Sequence, residues 1–338
     1  RDQLSQILIK GGFKLCKWAS NIPAESVVAE SEPLTSVSWN KESEVKVLGF
    51  FWHCQNDELR YQVNIPLIES EQISKRHILS SVAKIFDPLG LVNPVIVKAK
   101  ILLQGLWKLK LNWDEPVPPT FQNAWTKFVN ELKDLRNYNI TRKLIISYPY
   151  MAVEIHGFSD ASTKAYGAAI YIRVIYQSGD VSVRLACAKS RVAPLNTVTL
   201  PRLELNAAVL LIKLFIMVNS ILNLNVDRRY FWTDSTIVLA WLAESPNNWK
   251  PYVANRVAYV KKHSLIAEWH HVCSKDNPAD MVSRGLLPRQ LNQSTLWWHG
   301  PTWLRQTSNN WPSLSDNEYE EVALNTERKS LVTINVVN

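Results

Sequence analysis

The sequence VEIHGFSDASTKAYGAAIYIRVIYQSGDVSVRLACAK, residues 153–189, contains three consecutive segments of apolar and β-branched residues. Residues 153–158, 167–174 and 181–189 each have the composition of a strand. The connections between them are short, and residues 177–180 supply good turn chemistry. The second half of the chain is therefore predicted to open with three strands in succession.

The segments that follow this stretch alternate between helix and strand patterns. Helices are predicted over residues 201–219, 235–244 and 251–263, strands over 229–233 and 265–272, and a last helix from Asn277. The order β-β-β-α-β-α-α-β-α is typical of an α/β domain with a mixed sheet and flanking helices.

The first half of the chain has a different pattern. Residues 45–52 and 59–65 are predicted strands, and the turn residues 55–58 between them indicate a β-hairpin. Helical spacing follows over residues 74–111, where Asp-Pro and Asn-Pro pairs break it into separate helices, and again over residues 121–135. A hairpin followed by helices is therefore expected before the mixed sheet.

Composition limits the class of protein. The 338 residues are 46% hydrophobic and 20% charged, which excludes wholesale disorder. Four dispersed cysteines do not form a disulfide scaffold, and the longest apolar run, residues 207–218, is too short to span a bilayer. Without a secretory signal, and with Arg1 rather than Met at its start, the chain is expected to be part of a longer, soluble intracellular protein. The net charge of +8 does not by itself decide whether the partner is a polyanion.

Four carboxylates occupy suggestive positions. Asp160 and Asp234 end predicted strands, while Glu204 and Asp280 lie in the first turns of predicted helices. Strand ends and helix starts face a common edge in an α/β sheet, where ligands usually bind. Each residue alone also fits a helix cap, a turn or a favourable helix dipole. If all four converge, divalent cations that prefer oxygen ligands, Mg²⁺ or Mn²⁺, are the natural counterions.

Four ordered motifs resemble the ribonuclease H domain of reverse transcriptases, specifically those of BEL/Pao-type LTR retrotransposons. These motifs are FSDASTKAYGAAIY (158–171), LPRLELNAAVLL (200–211), FWTDSTIVLAWL (231–242) and WHHVCSKDNPADMVSRG (269–285). The resemblance implies a ribonuclease H-like fold for this part of the chain.

The resemblance extends to both flanks. The sequence KVLGFFWHCQNDELRY (46–61) resembles the end of a polymerase palm, and residues 75–107 resemble the thumb and connection region. The sequence LWWHGPTWL (296–304) resembles a segment that leads towards an integrase. The implied domains are residues 1–145, the C-terminal part of a reverse transcriptase; 146–290, the ribonuclease H-like domain; and 291–338, a linker towards integrase.

The resemblance also implies a chemistry. Asp160, Glu204, Asp234 and Asp280 match the family's catalytic carboxylates, which hold two Mg²⁺ or Mn²⁺ ions about 3.5–4 Å apart. Asp160 would contact both ions, Glu204 and Asp234 would complete one site, and Asp280 the other. The implied reaction is hydrolysis of the RNA strand of an RNA/DNA hybrid. The polymerase's paired-Asp motif is absent from the sequence, so polymerisation is not expected of this chain alone.

A basic and aromatic helix is the candidate nucleic-acid contact. The candidates lie in or next to the predicted helix 251–263, and they are Lys250, Tyr252, Arg256, Tyr259, Lys261 and Lys262. An ordinary amphipathic surface helix, with terminal lysines that complement its dipole, is the alternative. His270 and His271 precede Asp280 at the end of a predicted strand. A structural role is favoured over that of the mobile histidine that, in some ribonucleases H, helps with proton transfer or product release. A zinc site that joins them to Cys273 lacks a fourth ligand.

Other functions are weighed against the nuclease. A degenerate, nucleic-acid-binding transposon remnant without enzyme activity stays open. An aspartic peptidase needs an Asp-Thr/Ser-Gly loop, and residues 160–162 and 234–236 lack its glycine. An integrase-type transposase needs a glutamate on a late helix, whereas Glu268 lies on a predicted strand. The expected partners are an RNA/DNA hybrid and the rest of the Pol polyprotein, with polymerase palm and fingers upstream and integrase downstream. The expected location is a cytoplasmic virus-like particle, with no membrane partner and no secretion.

Overall fold

A computed structural model of the protein describes residues 2–14, 20–21, 44–47, 50–61, 73–146, 148–222, 225–312 and 326–329. The chain divides into two compact units. The smaller unit comprises residues 1–64 and 133–143, and the larger unit comprises residues 65–132 and 144–338.

The smaller unit holds a helix and an antiparallel sheet with strand order β1-β2-β3-β4. Its elements are α1 (Asp2–Lys10), β1 (Glu44–Val47), β2 (Phe50–His53), β3 (Glu58–Tyr61) and β4 (Ile140–Thr141). The single strand predicted over residues 45–52 is wrong, because β1 and β2 are separate strands in which Val47 pairs with Phe50. Only two residues separate the strands in the sequence. The composition is strand-like on both sides of them, so it does not indicate that the chain reverses direction there. Residues 62–65 of the second predicted strand lie outside the described residues.

The turn predicted at residues 55–58 depends on Asp57. This residue has a positive φ of 54°, and its buried carboxylate accepts hydrogen bonds from Trp52 Nε1 (3.0 Å) and from Arg142 Nη2 (3.0 Å). The Arg142 guanidinium holds the pKa of the Asp57 carboxyl below its ordinary value. Asp tolerates the left-handed conformation better than most residues, which suits it to this position.

The larger unit is built on the predicted five-stranded mixed sheet. Its strands are β5 (Tyr150–Ala161), β6 (Ala165–Tyr176), β7 (Val181–Val192), β8 (Arg228–Thr233) and β9 (Trp269–His271). The strand order is β7-β6-β5-β8-β9, in which β6 is antiparallel to both β5 and β7, and β8 is parallel to both β5 and β9. The fold class predicted from the sequence is confirmed. The strand predicted over residues 265–272 is shorter, because a 3₁₀ turn over Ile266–Glu268 precedes β9.

Helices surround this sheet. They are α2 (Lys75–Ala83), α3 (Asn93–Lys108), α4 (Pro119–Glu131), α5 (Leu200–Leu222), α6 (Thr236–Ala243), α7 (Pro251–His263), α8 (Asp280–Arg284), α9 (Pro288–Gln293) and α10 (Thr295–His299). By length and composition alone, α5 is apolar enough to cross a membrane, but half of its most apolar stretch is buried in the unit. Its Leu205 and Leu211 are fully buried in a core shared with Ile155 of β5 and Val257 of α7. Packing in this core gives the apolar composition of α5 a structural reason.

The opposite face of the sheet is covered by the C-terminal part of the larger unit. Trp297 and Trp303 are buried there, and the Trp303 ring lies 4.7 Å from that of Trp232 in β8. The Tyr171 hydroxyl of β6 donates to the Trp297 carbonyl (2.6 Å), and Arg173 Nε donates to the Leu304 carbonyl (2.6 Å). Residues 291–312 of the predicted linker are therefore folded against the sheet.

The connection between α2 and α3 closes the outer edge of β7. The Ala188 amide donates to the Leu89 carbonyl (2.9 Å), and Gly90 follows with a φ of 76°. A Cβ at Gly90 would lie 1.8 Å from the Ala188 carbonyl oxygen, so the position requires glycine. The helices predicted before the sheet are thus part of the same compact unit as the sheet, and the domain boundaries at residues 145 and 290 stay a prediction.

Candidate functional site

Three of the four predicted carboxylates meet at one edge of the mixed sheet. Asp160 lies at the end of β5, Asp234 follows β8, and Glu204 lies in the first turns of α5. The strands β5 and β8 are parallel neighbours, with Ser159 opposite Thr233, so Asp160 and Asp234 emerge side by side. One oxygen from each of the three carboxylates lies within 4.8 Å of the other two. We call these three residues the carboxylate cluster.

Two members of the carboxylate cluster are buried, and the nearby charge of Arg284 offsets the repulsion within the cluster only in part. Asp160 is 2% exposed and Glu204 is 8% exposed. Burial raises the pKa of Asp160, and the charge of Asp234 raises it further, to about 8, although a hydrogen bond from Ser283 opposes the shift. Burial, together with the charges of Asp160 and Asp234, raises the pKa of Glu204 to about 10. The protein alone therefore disfavours full ionisation of this cluster.

Hydroxyl and amide groups orient two of the carboxylates. Ser283 Oγ donates to Asp160, and Ser274 Oγ donates to Asp234 Oδ2 (2.5 Å). Asn277, which is fully buried, donates from Nδ2 to the Ser159 carbonyl (3.0 Å), and its Nδ2 lies 3.5 Å from Asp234 Oδ1. Such bonds restrict the rotamers of the ligands, as outer-shell partners do in metal sites.

A divalent cation fits this donor set. All three groups offer hard oxygen ligands, and Glu204 Oε2 is buried without a hydrogen-bond partner among the residues that the structure describes. A buried polar atom without a partner is unusual in a folded protein. A cation would neutralise the repulsion between the carboxylates and would be coordinated by Glu204 Oε2. Oxygen-only ligation favours Mg²⁺ or Mn²⁺.

Asp280, the fourth predicted carboxylate, has a different partner. It begins α8, and its carboxylate forms an ion pair with Arg284 one turn later. The helix lies close to the cluster because β6 has no side chain at Gly167, where a Cβ would lie 2.4 Å from Val282 Cγ2. The charge of Asp280 still contributes, after burial and Asp234, to the raised pKa of Asp160. A metal-binding role for Asp280 stays a prediction.

The two histidines before α8 lie in β9. His270 is opposite Trp232 in the parallel pair, and the two rings are 5.0 Å apart. Its Nε2 is buried and has no hydrogen-bond partner within the described part of the chain, and burial lowers the pKa of the ring. This surrounding is apolar and aromatic, in agreement with a structural interpretation of His270.

The residues predicted to bind nucleic acid on α7 have unequal surroundings. Lys262 is exposed, whereas Lys261 Nζ donates to the carbonyls of Leu242 (3.1 Å) and Glu244 (2.9 Å) at the end of α6. The Tyr259 ring lies 5.3 Å from Lys213 Nζ of α5. Lys261 therefore caps a neighbouring helix, although it is exposed like Lys262. The role of these residues in binding stays a prediction.

The other predicted binding residues lie near the first turns of α5. The Arg256 guanidinium lies 3.5 Å from the centre of the Tyr252 ring, and Arg256 Nε donates to Asn206 Oδ1 (2.6 Å). Lys250 Nζ donates to the Thr326 carbonyl (2.6 Å). Tyr252 and Arg256 thus contact Asn206 of α5, which follows Glu204 by two residues.

Sequence reasoning missed the groups that orient the carboxylates. Asn277 was interpreted only as the start of a helix, and Ser274 and Ser283 were not singled out. Ser283 follows Asp280 by three residues, so the two share one face of α8. That spacing is the signal that could have pointed to Ser283.

Residues 74–235 match the family model of the Pao retrotransposon-like RNaseH-like domain. This match confirms the resemblance to a Pao-type retrotransposon that the motifs indicate. It includes Asp160, Glu204 and Asp234 and ends before Asp280. No curated protein has a sequence that matches this chain.

Several solved structures are similar to parts of the chain. Ribonuclease H1 of the halophilic archaeon Halobacterium salinarum NRC-1 has 13% identity and a TM-score of 0.26, covering 38% of this chain and 91% of that chain. LC11-RNase H1, solved in complex with an RNA/DNA hybrid, has 13% identity and a TM-score of 0.27, covering 41% of this chain and 99% of that chain. The foamy viral protease-reverse transcriptase, solved in complex with dsDNA, has 13% identity and a TM-score of 0.25, covering 68% of this chain and 45% of that chain.

Proposed function

We propose that this chain hydrolyses the RNA strand of RNA/DNA hybrids with two bound Mg²⁺ or Mn²⁺ ions, as the ribonuclease H part of a retrotransposon Pol polyprotein. The observation that carries the proposal is the carboxylate cluster, in which one oxygen from each of three carboxylates lies within 4.8 Å of the other two and two of the three residues are buried. A purely structural cluster of this kind would oppose folding, because buried like charges are costly unless they are paired.

The residues of the chain have distinct tasks in this proposal. Asp160, Glu204 and Asp234 would hold the ions, and Asp280, which is paired with Arg284, would be a further ligand. When bound, divalent ions supply an activated water and stabilise the negative charge that develops on the leaving oxygen. Ser283 and Asn277 keep Asp160 and Asp234 in place before substrate arrives. Such preorganisation lowers the cost of reaching the transition state.

The proposed partners follow from the same assignment. The hybrid would lie across the carboxylate edge of the sheet and contact α7, where Lys262 is exposed. Polymerase palm and fingers would precede this segment and an integrase would follow it in the polyprotein. The proposed location is a cytoplasmic virus-like particle.

The test is cleavage of an end-labelled RNA/DNA hybrid in Mg²⁺, in Mn²⁺ and in EDTA. Asp160→Asn should lower the cleavage rate about a thousand-fold or more, because each lost ligand weakens charge stabilisation by several kcal/mol. Asp180→Asn, in the exposed β6–β7 turn, removes the same charge and should cut like the wild type. Single-stranded RNA and duplex DNA of the same sequence should stay intact.

A second candidate function is nucleic-acid binding without cleavage. The observation that favours it is the ion pair between Asp280 and Arg284, which engages one predicted ligand within its own helix. Hybrid binding by folded wild-type protein, without metal-dependent cutting in either Mg²⁺ or Mn²⁺, would select this function over the nuclease.

A further inference from the structure

A basic and aromatic cluster lies where the starts of α5 and α7 meet. It consists of Arg202, Lys250, Tyr252 and Arg256, and we call it the α5–α7 basic cluster. The guanidinium groups of Arg202 and Arg256 lie 4.7 and 3.5 Å from the centre of the Tyr252 ring. Asn206 of α5 donates to the Tyr252 hydroxyl (2.9 Å) and accepts from Arg256 Nε (2.6 Å). This network holds two arginines in fixed positions against one ring.

The α5–α7 basic cluster shares the first turns of α5 with the carboxylate cluster. Arg202 precedes Glu204 by two residues, and Asn206 follows Glu204 by two. Residues 202 and 206 are one helical turn apart, so they face α7 together, while Glu204 faces the sheet edge. A nucleic acid at the carboxylate edge would therefore pass next to this basic cluster.

A short segment from the C-terminal end of the chain covers the cluster. Glu327 accepts two hydrogen bonds from Arg202, at 2.7 Å from Nε and 3.2 Å from Nη2, and Glu327 is only 7% exposed. The Lys250 amide donates to the Glu327 carbonyl (2.8 Å), and Lys250 Nζ donates to the Thr326 carbonyl (2.6 Å). The next residue, Arg328, is paired with Glu244. We call residues 326–329 the C-terminal segment.

The Glu327 carboxylate binds Arg202 in the way that a phosphate group binds an arginine. A fork of two parallel N–H donors from one arginine suits a carboxylate and a phosphate equally well. The C-terminal segment, Thr-Glu-Arg-Lys, contributes no large apolar side chain, so charge and backbone hydrogen bonds hold it. In the ion pair the Arg202 side chain is 33% exposed and the Glu327 side chain 10% exposed, so salt and competing anions still reach the guanidinium. A polyanion with many phosphates can therefore displace a single carboxylate.

We propose that the α5–α7 basic cluster binds a backbone phosphate of nucleic acid, and that Glu327 occupies this position as a competing anion, so that the C-terminal segment restrains substrate binding. The choice of nucleic acid as the polyanion rests on the proposed function. Release of Glu327 frees Arg202 and Lys250 together, because both contact the same four-residue segment.

The test measures the dissociation constant of a fluorescein-labelled RNA/DNA hybrid by fluorescence anisotropy, with the full chain and with Ca²⁺ in place of Mg²⁺. Glu327→Gln should tighten binding about threefold to tenfold, because a neutral side chain competes poorly for Arg202. Arg202→Gln should weaken binding and lower the salt dependence by about one phosphate contact. In the Arg202→Gln background, Glu327→Gln should have no further effect.

Asp180→Asn is the matched control, since it makes the same change in net charge in the exposed turn at the far end of the sheet. Equal tightening by Asp180→Asn and Glu327→Gln would mean a general charge effect and would overturn the inference. Unchanged or weaker binding by Glu327→Gln, with a lower melting temperature, would show that Glu327 only stabilises the fold and would overturn the inference. Both outcomes are independent of cleavage.

Cleavage measured beside binding separates this inference from the proposed function. If the variants shift hybrid affinity as expected and no protein cuts in Mg²⁺, the proposed nuclease fails and the inference stands. If wild type cuts and Glu327→Gln binds no more tightly, only the inference fails. If no variant binds hybrid at any salt concentration, the inference is wrong whatever the cleavage result.

Discussion

Strand β5 carries two buried carboxyl groups on one face, and their partners differ completely. Glu154 lies near its start and Asp160 near its end, and residues six apart on a strand share a face. Glu154 accepts a hydrogen bond from Arg173 Nη1 (2.7 Å) and lies 3.3 Å from His156 Nε2. Asp160 instead faces two further carboxylates in the cluster with Glu204 and Asp234.

The difference teaches that the neighbouring charged groups, and not burial alone, decide the direction in which the pKa of a buried carboxyl group shifts. Glu154 is 6% exposed and Asp160 is 2% exposed, so both pay a similar desolvation cost. Burial raises the pKa of Glu154, but His156 and Arg173 outweigh it and the net shift is downward. Burial and Asp234 raise the pKa of Asp160 to about 8. The positive groups around Glu154 outweigh its burial, whereas Arg284 does not offset the burial of Asp160 and the charges of the carboxylates near it.

Removal of the compensating charge at Glu154 should have the largest effect on stability. Arg173→Met should lower the free energy of unfolding by about 3–5 kcal/mol, because it leaves a buried carboxylate without its ion-pair partner. It also removes the hydrogen bonds from Arg173 to the Leu304 and Gln306 carbonyls. Urea denaturation measures the change. Lys189→Met, at an exposed position on β7, should change stability by less than about 0.5 kcal/mol.

The same substitution, glutamate to glutamine, should change the free energy of unfolding in opposite directions at Glu204 and at Glu154. At pH 8 without divalent ions, Glu204→Gln should stabilise the protein by about 1–3 kcal/mol, since glutamine avoids the cost of protonating a buried carboxyl group whose pKa is about 10. Glu154→Gln should destabilise it by about the same amount, since it weakens a buried ion pair. Thermal and urea unfolding of both variants provide the measurement. A loss of stability in both variants would contradict the opposite pKa shifts of Glu154 and Glu204.

The smallest predicted effect is the pH dependence of the Glu204→Gln difference. The pKa of Glu204 in the folded protein is raised to about 10, so its favourable contribution is complete below its ordinary pKa of 4.5 and is lost progressively as pH rises towards 10. Glutamine does not ionise, and the histidine contributions cancel between the two proteins. The stability advantage of the variant should therefore grow by about 1 kcal/mol or more between pH 5 and pH 8. An advantage that shrinks over this range would contradict the raised pKa.

Added Mg²⁺ provides the control for this series. It should stabilise wild type more than Glu204→Gln, because binding to the folded state alone adds stability and the variant lacks one ligand. The shift in melting temperature with Mg²⁺ concentration measures this difference without any cleavage assay.

The elements that position the carboxylate cluster could be predicted because each depends on local sequence. Asp160 and Asp234 directly follow strand patterns, and Glu204 follows Pro201 at a helix start. The order of strands and helices then brings strand ends and helix starts to one edge. Those local signals were sufficient to predict the mixed sheet and the meeting of these three carboxylates, although they gave Asp280 the same standing.

The parts that could not be predicted depend on contacts between distant residues. Nothing local to Arg173 indicates that the carbonyls of Leu304 and Gln306 will receive its hydrogen bonds. Likewise, the pairing of Arg202 with Glu327 joins residues 125 positions apart. The reversal between β1 and β2 could not be predicted for another reason. Both strands have the same kind of composition, so the pattern does not indicate where the chain turns back.

The closed outer edge of β7 has a consequence for handling the protein. An open strand edge presents unpaired amides and carbonyls to other chains and promotes aggregation. In this fold, the Ala188 amide of β7 donates a hydrogen bond to the Leu89 carbonyl. The Ser190 hydroxyl of the same strand donates to the Asn93 side chain. A fragment that begins at residue 146 would lack this protection. We expect such a fragment to self-associate through β7, whereas a fragment that begins before α2 keeps the edge shielded.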